Sequence, residues 1–71
     1  MANTIDAVMA GTLFKIEVNV GDTIDFGDVV AILESMKMEI PIEADGAGVV
    51  EKILVQEGDT VDAGTPLLSY K

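Results

Sequence analysis

At 71 residues the chain is close to the lower size limit for a domain that folds without disulfides or metals. It contains no cysteine and no histidine, which excludes a disulfide framework and a Cys-based zinc site and removes the commonest general base and metal ligand. Its net charge of −9 disfavours nucleic acid and anionic lipid as partners.

The N-terminal segment has no feature of a targeting peptide. The stretch MANTIDAV has neither a basic region nor a long apolar one. The longest apolar run in the chain, Val29 to Leu33, is far too short to cross a bilayer. We therefore expect a cytoplasmic protein with no membrane partner.

The apolar residues follow the pattern of short β-strands. From Phe14 to Val20, apolar and polar residues alternate with a period of two, which predicts a half-buried strand with Phe14, Ile16, Val18 and Val20 on its apolar face. Further β-branched segments follow at 29–33, 40–42, 49–55 and 66–68, separated by Gly and Asp turn signals. The sequence predicts an all-β fold, because no segment has a helical period with caps.

The two halves of the chain repeat each other at a spacing of 37 residues. Neither half is long enough to bury its own apolar face, so the halves must pack together, most simply about a pseudo-two-fold axis. We predict one domain over residues 1–71, with repeat halves at about 4–34 and 41–71 and four strands in each half. The gapless alignment has 12 identities in 31 positions: Ile5/Ile42, Ala7/Ala44, Ala10/Ala47, Gly11/Gly48, Lys15/Lys52, Ile16/Ile53, Val18/Val55, Gly21/Gly58, Asp22/Asp59, Thr23/Thr60, Asp25/Asp62 and Gly27/Gly64.

The segment between the two halves has unusual residues for a turn. Ser35-Met36-Lys37-Met38 contains no Gly, Asn or Asp, although tight hairpins favour these residues because their turns need positive φ. Two methionines at an exposed turn leave apolar surface in water, which marks a contact site more often than a core. The alternative is a solvated lysine above a buried methionine pair. The repeat also predicts that Lys37 lies at the end of the domain opposite the termini.

The stretch Glu34-Ser35-Met36-Lys37-Met38-Glu39 resembles the Met-Lys-Met attachment motif of biotinyl domains. The whole chain resembles the stand-alone members of the biotin/lipoyl attachment family, of the biotin carboxyl carrier type. This resemblance implies a flattened antiparallel β-barrel or sandwich of two four-stranded sheets, a barrel-sandwich hybrid, with Lys37 on an exposed tight hairpin.

The resemblance also implies a function. A biotin protein ligase would join biotin to Lys37 in an amide, and the biotin would carry carboxylate between a biotin carboxylase and a carboxyltransferase acting in trans. The ligase would recognise the flanking residues Glu34, Ser35, Met36, Met38 and Glu39. Such a carrier needs no catalytic or metal-binding residues, so we do not expect it to be an enzyme itself. We also expect a monomer, because a closed barrel would hide the edges of its sheets.

Two stretches depart from the family pattern. Val8-Met9-Ala10-Gly11 keeps only the Met and Gly of the Pro-Met-Pro-Gly stretch of many biotinyl domains. The short connection Asn19-Val20-Gly21-Asp22 leaves no room for the protruding thumb of some acetyl-CoA carboxylase carriers. The sequence therefore does not assign the carrier to an acetyl-CoA carboxylase.

Three alternatives remain open at the level of the sequence. A lipoyl carrier, modified by a lipoyl ligase, would match Glu34, but lipoyl domains usually have Asp-Lys-Ala in place of Met36-Lys37-Met38. A structural or docking module would leave Lys37 unmodified. An autonomous enzyme with Lys37 as a Schiff base is the least favoured, because that chemistry needs a desolvated pocket and not an exposed tip.

Overall fold

The computed structural model describes residues 3–71, which form short β-strands joined by tight turns. No helix in this part of the chain is long and apolar enough to span a membrane. The strands are β1 (Asn3–Asp6), β2 (Gly11–Ile16), β3 (Thr23–Ile24), β4 (Val29–Ser35), β5 (Met38–Glu43), β6 (Gly48–Ile53), β7 (Thr60–Val61) and β8 (Pro66–Tyr70).

The strands form two four-stranded sheets, in the orders β1-β8-β6-β3 and β5-β4-β2-β7. All the paired strands are antiparallel. Each sheet contains strands from both halves of the chain, because β6 of the second half pairs with β3 of the first and β7 pairs with β2. The prediction of an all-β fold with two four-stranded sheets is confirmed.

The core shows how closely the two halves match. Its members within residues 3–71 fall without exception into pairs separated by 37 residues, so each pair occupies equivalent positions in the two halves of the chain. The chain therefore has one core, built equally by both halves around the pseudo-two-fold axis. The pairs are Ile5/Ile42, Ala7/Ala44, Leu13/Val50, Ile24/Val61, Val30/Leu67, Ala31/Leu68 and Leu33/Tyr70.

The repeated glycines serve equivalent turns. Gly21 has a φ of 94° and Gly58 a φ of 95°, and a Cβ at either residue would have no atom within 4 Å. The need for glycine at these turns is therefore conformational and not steric. The two turns also form equivalent hydrogen bonds. The Gly21 N–H donates to the Val50 carbonyl at 2.8 Å, and the Gly58 N–H donates to the Leu13 carbonyl at 2.7 Å.

The prediction for residues 14–20 is wrong in two respects. Strand β2 ends at Ile16, and Phe14 is 50% exposed whereas its neighbour Leu13 is buried. The cause is a β-bulge between Leu13 and Lys15 in the pairing with β4, which shifts the inward-facing positions along the strand. Ile16 and Val18 still pack against the core, but Val20 lies exposed in the turn before β3.

The hairpin formed by β4 and β5 gives the molecule a distinct tip. Its ladder ends at Ser35 and Met38, about 20 Å along β4 from its base at Val29, at about 3.3 Å per residue. At the base, the Ala44 N–H donates to the Asp28 carbonyl at 2.8 Å. The C-terminal Lys71 lies at this base end, because it exchanges hydrogen bonds with Val49, which follows the turn after Ala44. The hairpin tip and the C-terminus are therefore at opposite ends.

A buried tyrosine closes the base end. The Tyr70 hydroxyl donates a hydrogen bond to Asp45 Oδ1 at 2.8 Å, which ties the turn between β5 and β6 to the C-terminal strand. This hydrogen bond raises the pKa of Tyr70, and burial and the Asp45 charge act in the same direction. The equivalent residue near the tip is Leu33, which has no hydroxyl, so this contact belongs to the base alone.

The Tyr70 contact predicts a dependence of stability on pH. Because the pKa of Tyr70 is raised on folding, its contribution to stability is present below the ordinary tyrosine pKa of about 10 and is lost as the pH rises through the folded-state value. Tyr70 is the only tyrosine and there is no tryptophan, so phenolate absorbance reports on it alone. Asp45→Ala should lower the pKa of Tyr70. The control is Asp62→Ala, which lies in a turn at the tip end and should leave the pKa of Tyr70 unchanged. Equal titration curves for the two variants would contradict this account.

Candidate functional site

The tip of the hairpin is a two-residue turn. Ser35 pairs with Met38, so only Met36 and Lys37 connect the strands. Both residues have left-handed backbones, with φ of 53° at Met36 and 64° at Lys37. Positive φ at both central residues is the pattern of a type I′ turn, for which Asn-Gly is the favoured sequence.

The turn is strained, because neither of its residues is glycine. A left-handed non-glycine residue costs about 1–3 kcal/mol. Within residues 3–71, Met36 and Lys37 are the only non-glycine residues with positive φ, and glycine takes the other positions of this kind. The ladder from Val29 to Ser35 holds the strained turn in place. Strain of this kind concentrates at functional sites in proteins.

The side chains of the turn face water. Met36 is 84% exposed and Met38 is 58% exposed, and Lys37 is exposed between them. The alternative in which the methionines are buried beneath the tip is therefore wrong. Leu33 fills the core below the hairpin, and Ser35 is half-buried next to the turn.

The amine of Lys37 is free of ionic partners. The ion pairs within residues 3–71 are Lys15 with Glu17 at 3.6 Å and Lys71 with Glu51 at 3.4 Å. Lys37 takes part in neither, and no group of side chains in this part of the chain could hold a metal ion. The arrangement presents a primary amine to solvent on a rigid support.

Two acidic residues lie next to the turn and face each other across the hairpin. Glu34 on β4 pairs with Glu39 on β5, and both side chains are exposed. Like charges directly opposite each other in a sheet are destabilising. Neither carboxylate has a cation within the described part of the chain. The pair therefore leaves an uncompensated negative charge below Lys37.

Gly11 supports the hairpin, a role that the sequence did not reveal. A Cβ at Gly11 would lie 2.6 Å from the Glu34 carbonyl oxygen and 3.2 Å from Leu33 Cγ. Any side chain there would push β4 away from β2 directly beside the tip. The available signal was the repeat itself, since the equivalent Gly48 lies equally close to the carbonyl oxygen of Lys71, at 2.7 Å.

A groove of about 530 Å³ lies between the edge strands β1 and β5, and Lys37 does not line it. The residues that line it include Ile5, Ile42, Asp6, Glu43 and Asp45. The exposed tip and this groove are separate features. The site built around Lys37 is thus a presented side chain and not an enclosed pocket.

Comparison with known proteins identifies the family. The model of the biotin/lipoyl family, described as "Biotin-requiring enzyme", matches residues 1–69. The chain belongs to the biotin/lipoyl attachment family. It is 62% identical over 42 residues to the "Biotin/lipoyl attachment protein" of Bacillus subtilis, a match that covers 59% of this chain and 58% of that protein. It is 52% identical over 44 residues to the "Biotinylated protein TB7.3" of Mycobacterium tuberculosis, with 62% of each chain covered.

A solved structure of a much larger protein contains the same fold. The urea carboxylase of Kluyveromyces lactis matches with a TM-score of 0.92 and 35% identity, over 100% of this chain and 6% of that one. This family member therefore has the architecture of one small domain of that carboxylase. The curated relatives are matched over about three fifths of their length.

The strained turn predicts that removing the lysine stabilises the fold. Lys37→Gly should raise the free energy of unfolding by about 1 kcal/mol, because relief of the left-handed strain outweighs the extra backbone entropy of glycine. The matched control is Lys52→Gly, an exposed lysine in β6 without positive φ, which should lower the free energy of unfolding. Urea denaturation measures both, and destabilisation by both variants would show that the turn is not strained.

Proposed function

We propose that the chain is a biotin carrier, in which biotin is attached to Lys37 and the loaded domain moves carboxylate between a biotin carboxylase and a carboxyltransferase on other polypeptides. The observation that carries the proposal is the exposed Lys37 amine on a strained turn, in a member of the biotin/lipoyl attachment family. The names of relatives, "Biotinylated protein TB7.3" among them, support biotin as the attached group. A cytoplasmic location stays a prediction.

Attachment of biotin requires only an accessible primary amine from the carrier. The Lys37 nitrogen attacks the carbonyl carbon of an activated biotin acyl group, a C–N bond forms, the activating group leaves, and the ligase removes a proton from the amine. A primary amine that is exposed and free of ion pairs meets these requirements. We assign the base to the ligase, because Lys37 makes no ion pair with a carboxylate of residues 3–71.

The rigid turn contributes positioning. The ladder of β4 and β5 fixes the backbone of Lys37, and the flexible four-carbon stem extends the reach of the attached group. Once attached, biotin supplies the atom that takes up and releases carboxylate. In this proposal the carrier's own residues take no part in the transfer of carboxylate, so we propose that it is a component of a biotin-dependent enzyme and not an enzyme alone.

The residues around Lys37 offer two kinds of contact to a ligase. The thioether side chains of Met36 and Met38 present exposed, deformable apolar surface on both sides of the lysine. Glu34 and Glu39 present uncompensated negative charge, which fits a basic rim on the ligase. Ser35, half-buried at the end of β4, lies between Glu34 and Met36 along the chain.

Lipoate attachment to Lys37 is the other outcome that the family would permit. Glu34 lies three residues before the lysine, as in lipoyl domains, but Met36 and Met38 replace the Asp and Ala that usually flank the lipoyl lysine. We therefore propose biotin, and a lipoyl mass increment is one outcome of the experiment below.

The proposal predicts modification at one lysine. Intact-mass analysis with fragment mapping of the protein from its own cells should find a biotinyl increment on Lys37. Lys37→Arg should abolish the increment, because the guanidinium does not replace the amine in acylation. Lys52→Arg is the matched control and should be modified normally, since Lys52 is also exposed and makes no ion pair in the described structure, but lies in a regular strand.

A lipoyl mass increment on Lys37 would be consistent with the fold but would exclude the proposed role as a carboxylate carrier. No increment, even after incubation with biotin, ATP and an active biotin ligase, would contradict the proposal and favour an unmodified docking module.

The facing pair of glutamates predicts that one charge change can slow ligation while it stabilises the fold. Glu34→Lys replaces a like-charge cross-strand pair with an opposite-charge pair, so the free energy of unfolding should rise by about 0.5 kcal/mol. At low ionic strength the ligation rate should nevertheless fall about tenfold, with a weaker salt dependence, if the carboxylates steer a basic ligase. Glu43→Lys makes the same charge change at the base of β5 and should leave the rate unchanged. Equal rates for Glu34→Lys and the wild type would exclude steering.

A further inference from the structure

The methionines of the chain differ sharply in exposure. Met36 and Met38 are 84% and 58% exposed, whereas Met9 is partly buried against the core. Met1 lies outside the described residues. The chain has no cysteine and no tryptophan, so methionine sulfur is its most easily oxidised group. Within residues 3–71, the two exposed methionines therefore lie on either side of the lysine that we propose as the attachment site.

We propose that Met36 and Met38 form a reversible oxidation site, at which hydroperoxides control the acylation of Lys37. This inference rests on the proposed carrier function and adds a regulation of the same site.

The oxidation is a simple oxygen transfer. A sulfur lone pair attacks one oxygen of hydrogen peroxide, the O–O bond breaks, and a proton shift releases water as the S–O bond forms. The sulfur loses two electrons and the peroxide gains them. A thiol-dependent methionine sulfoxide reductase reverses the change, with the thiols as reductant.

The structure explains why this change would affect the lysine. Met36 is in the two-residue turn with Lys37, and Met38 pairs with Ser35 at the first rung of the ladder. The ladder and the positive φ of the turn hold both methionines beside the amine. A sulfoxide is polar, so a ligase surface that buries the two thioethers would lose apolar contact with the oxidised turn. We expect the ligation rate to fall about tenfold or more.

Met9 provides an internal control for site selectivity. Its partial burial in the segment between β1 and β2 shields the sulfur from peroxide in the folded protein. Met9 should become as reactive as the other two only when the chain unfolds. The ratio of oxidation rates in native and denaturing conditions thus measures the protection that the fold provides.

The test uses the unmodified full chain treated with hydrogen peroxide. Fragment mapping should show single-oxygen increments on Met36 and Met38 well before Met9. The oxidised protein should be biotinylated at least about tenfold more slowly by a biotin ligase, and treatment with a mixture of both types of sulfoxide reductase should restore the rate. The double variant Met36→Leu, Met38→Leu sets its own baseline rate, which peroxide should not change.

The outcomes separate the two proposals. If untreated protein is biotinylated and oxidised protein is biotinylated equally fast, the regulation is absent and the carrier function stands. Oxidation of Met9 at the same rate as Met36 in the folded protein would also overturn the inference. If untreated protein is not biotinylated at all, the carrier proposal fails and the inference fails with it.

Discussion

The structure depends on the burial of one shared core by two equivalent half-chains. Each pair, such as Leu13/Val50 or Leu33/Tyr70, contributes one residue from each half, so neither half has a complete core alone. This mutual dependence explains how 71 residues without disulfides or metals bury enough apolar surface to fold. The two halves are also joined within each sheet, because every central strand pairs with a strand of the other half. The rigid ladder below Lys37 is a consequence of this arrangement.

The proposed attachment site lies where the two halves of the chain stop being equivalent. The link between them becomes the hairpin tip, and Lys71, bonded to Val49, lies at the opposite end of the described structure. Tyr70, bonded to Asp45, closes the base end with a polar contact, whereas Leu33 fills the same position below the tip with apolar atoms alone. The symmetric core therefore supports one closed end and one end that presents a reactive side chain.

The residues at the hairpin tip lower the stability of the fold but leave the Lys37 amine exposed. Two left-handed non-glycine residues and a pair of facing glutamates all raise the energy of the hairpin, and the buried part of β4 offsets this cost. The same exposure that makes Met36 and Met38 available to a partner makes their sulfurs available to peroxide. The strain and the exposure of the tip, on which both proposals rest, thus arise from one feature, a two-residue turn without glycine.

The sequence by itself determined the all-β class, the repeat and the location of Lys37 between the halves, because period-two alternation and self-similarity are local properties of the chain. It also indicated that the turn residues were not chosen for their backbone preference. Only the tertiary structure decided which residues face inward in β2, since the bulge at Phe14 depends on the pairing with β4. The close approach of Gly11 to Glu34, and the facing of Glu34 and Glu39, likewise depend on the register between strands. Register is set by contacts between residues distant along the chain, and local patterns do not contain it.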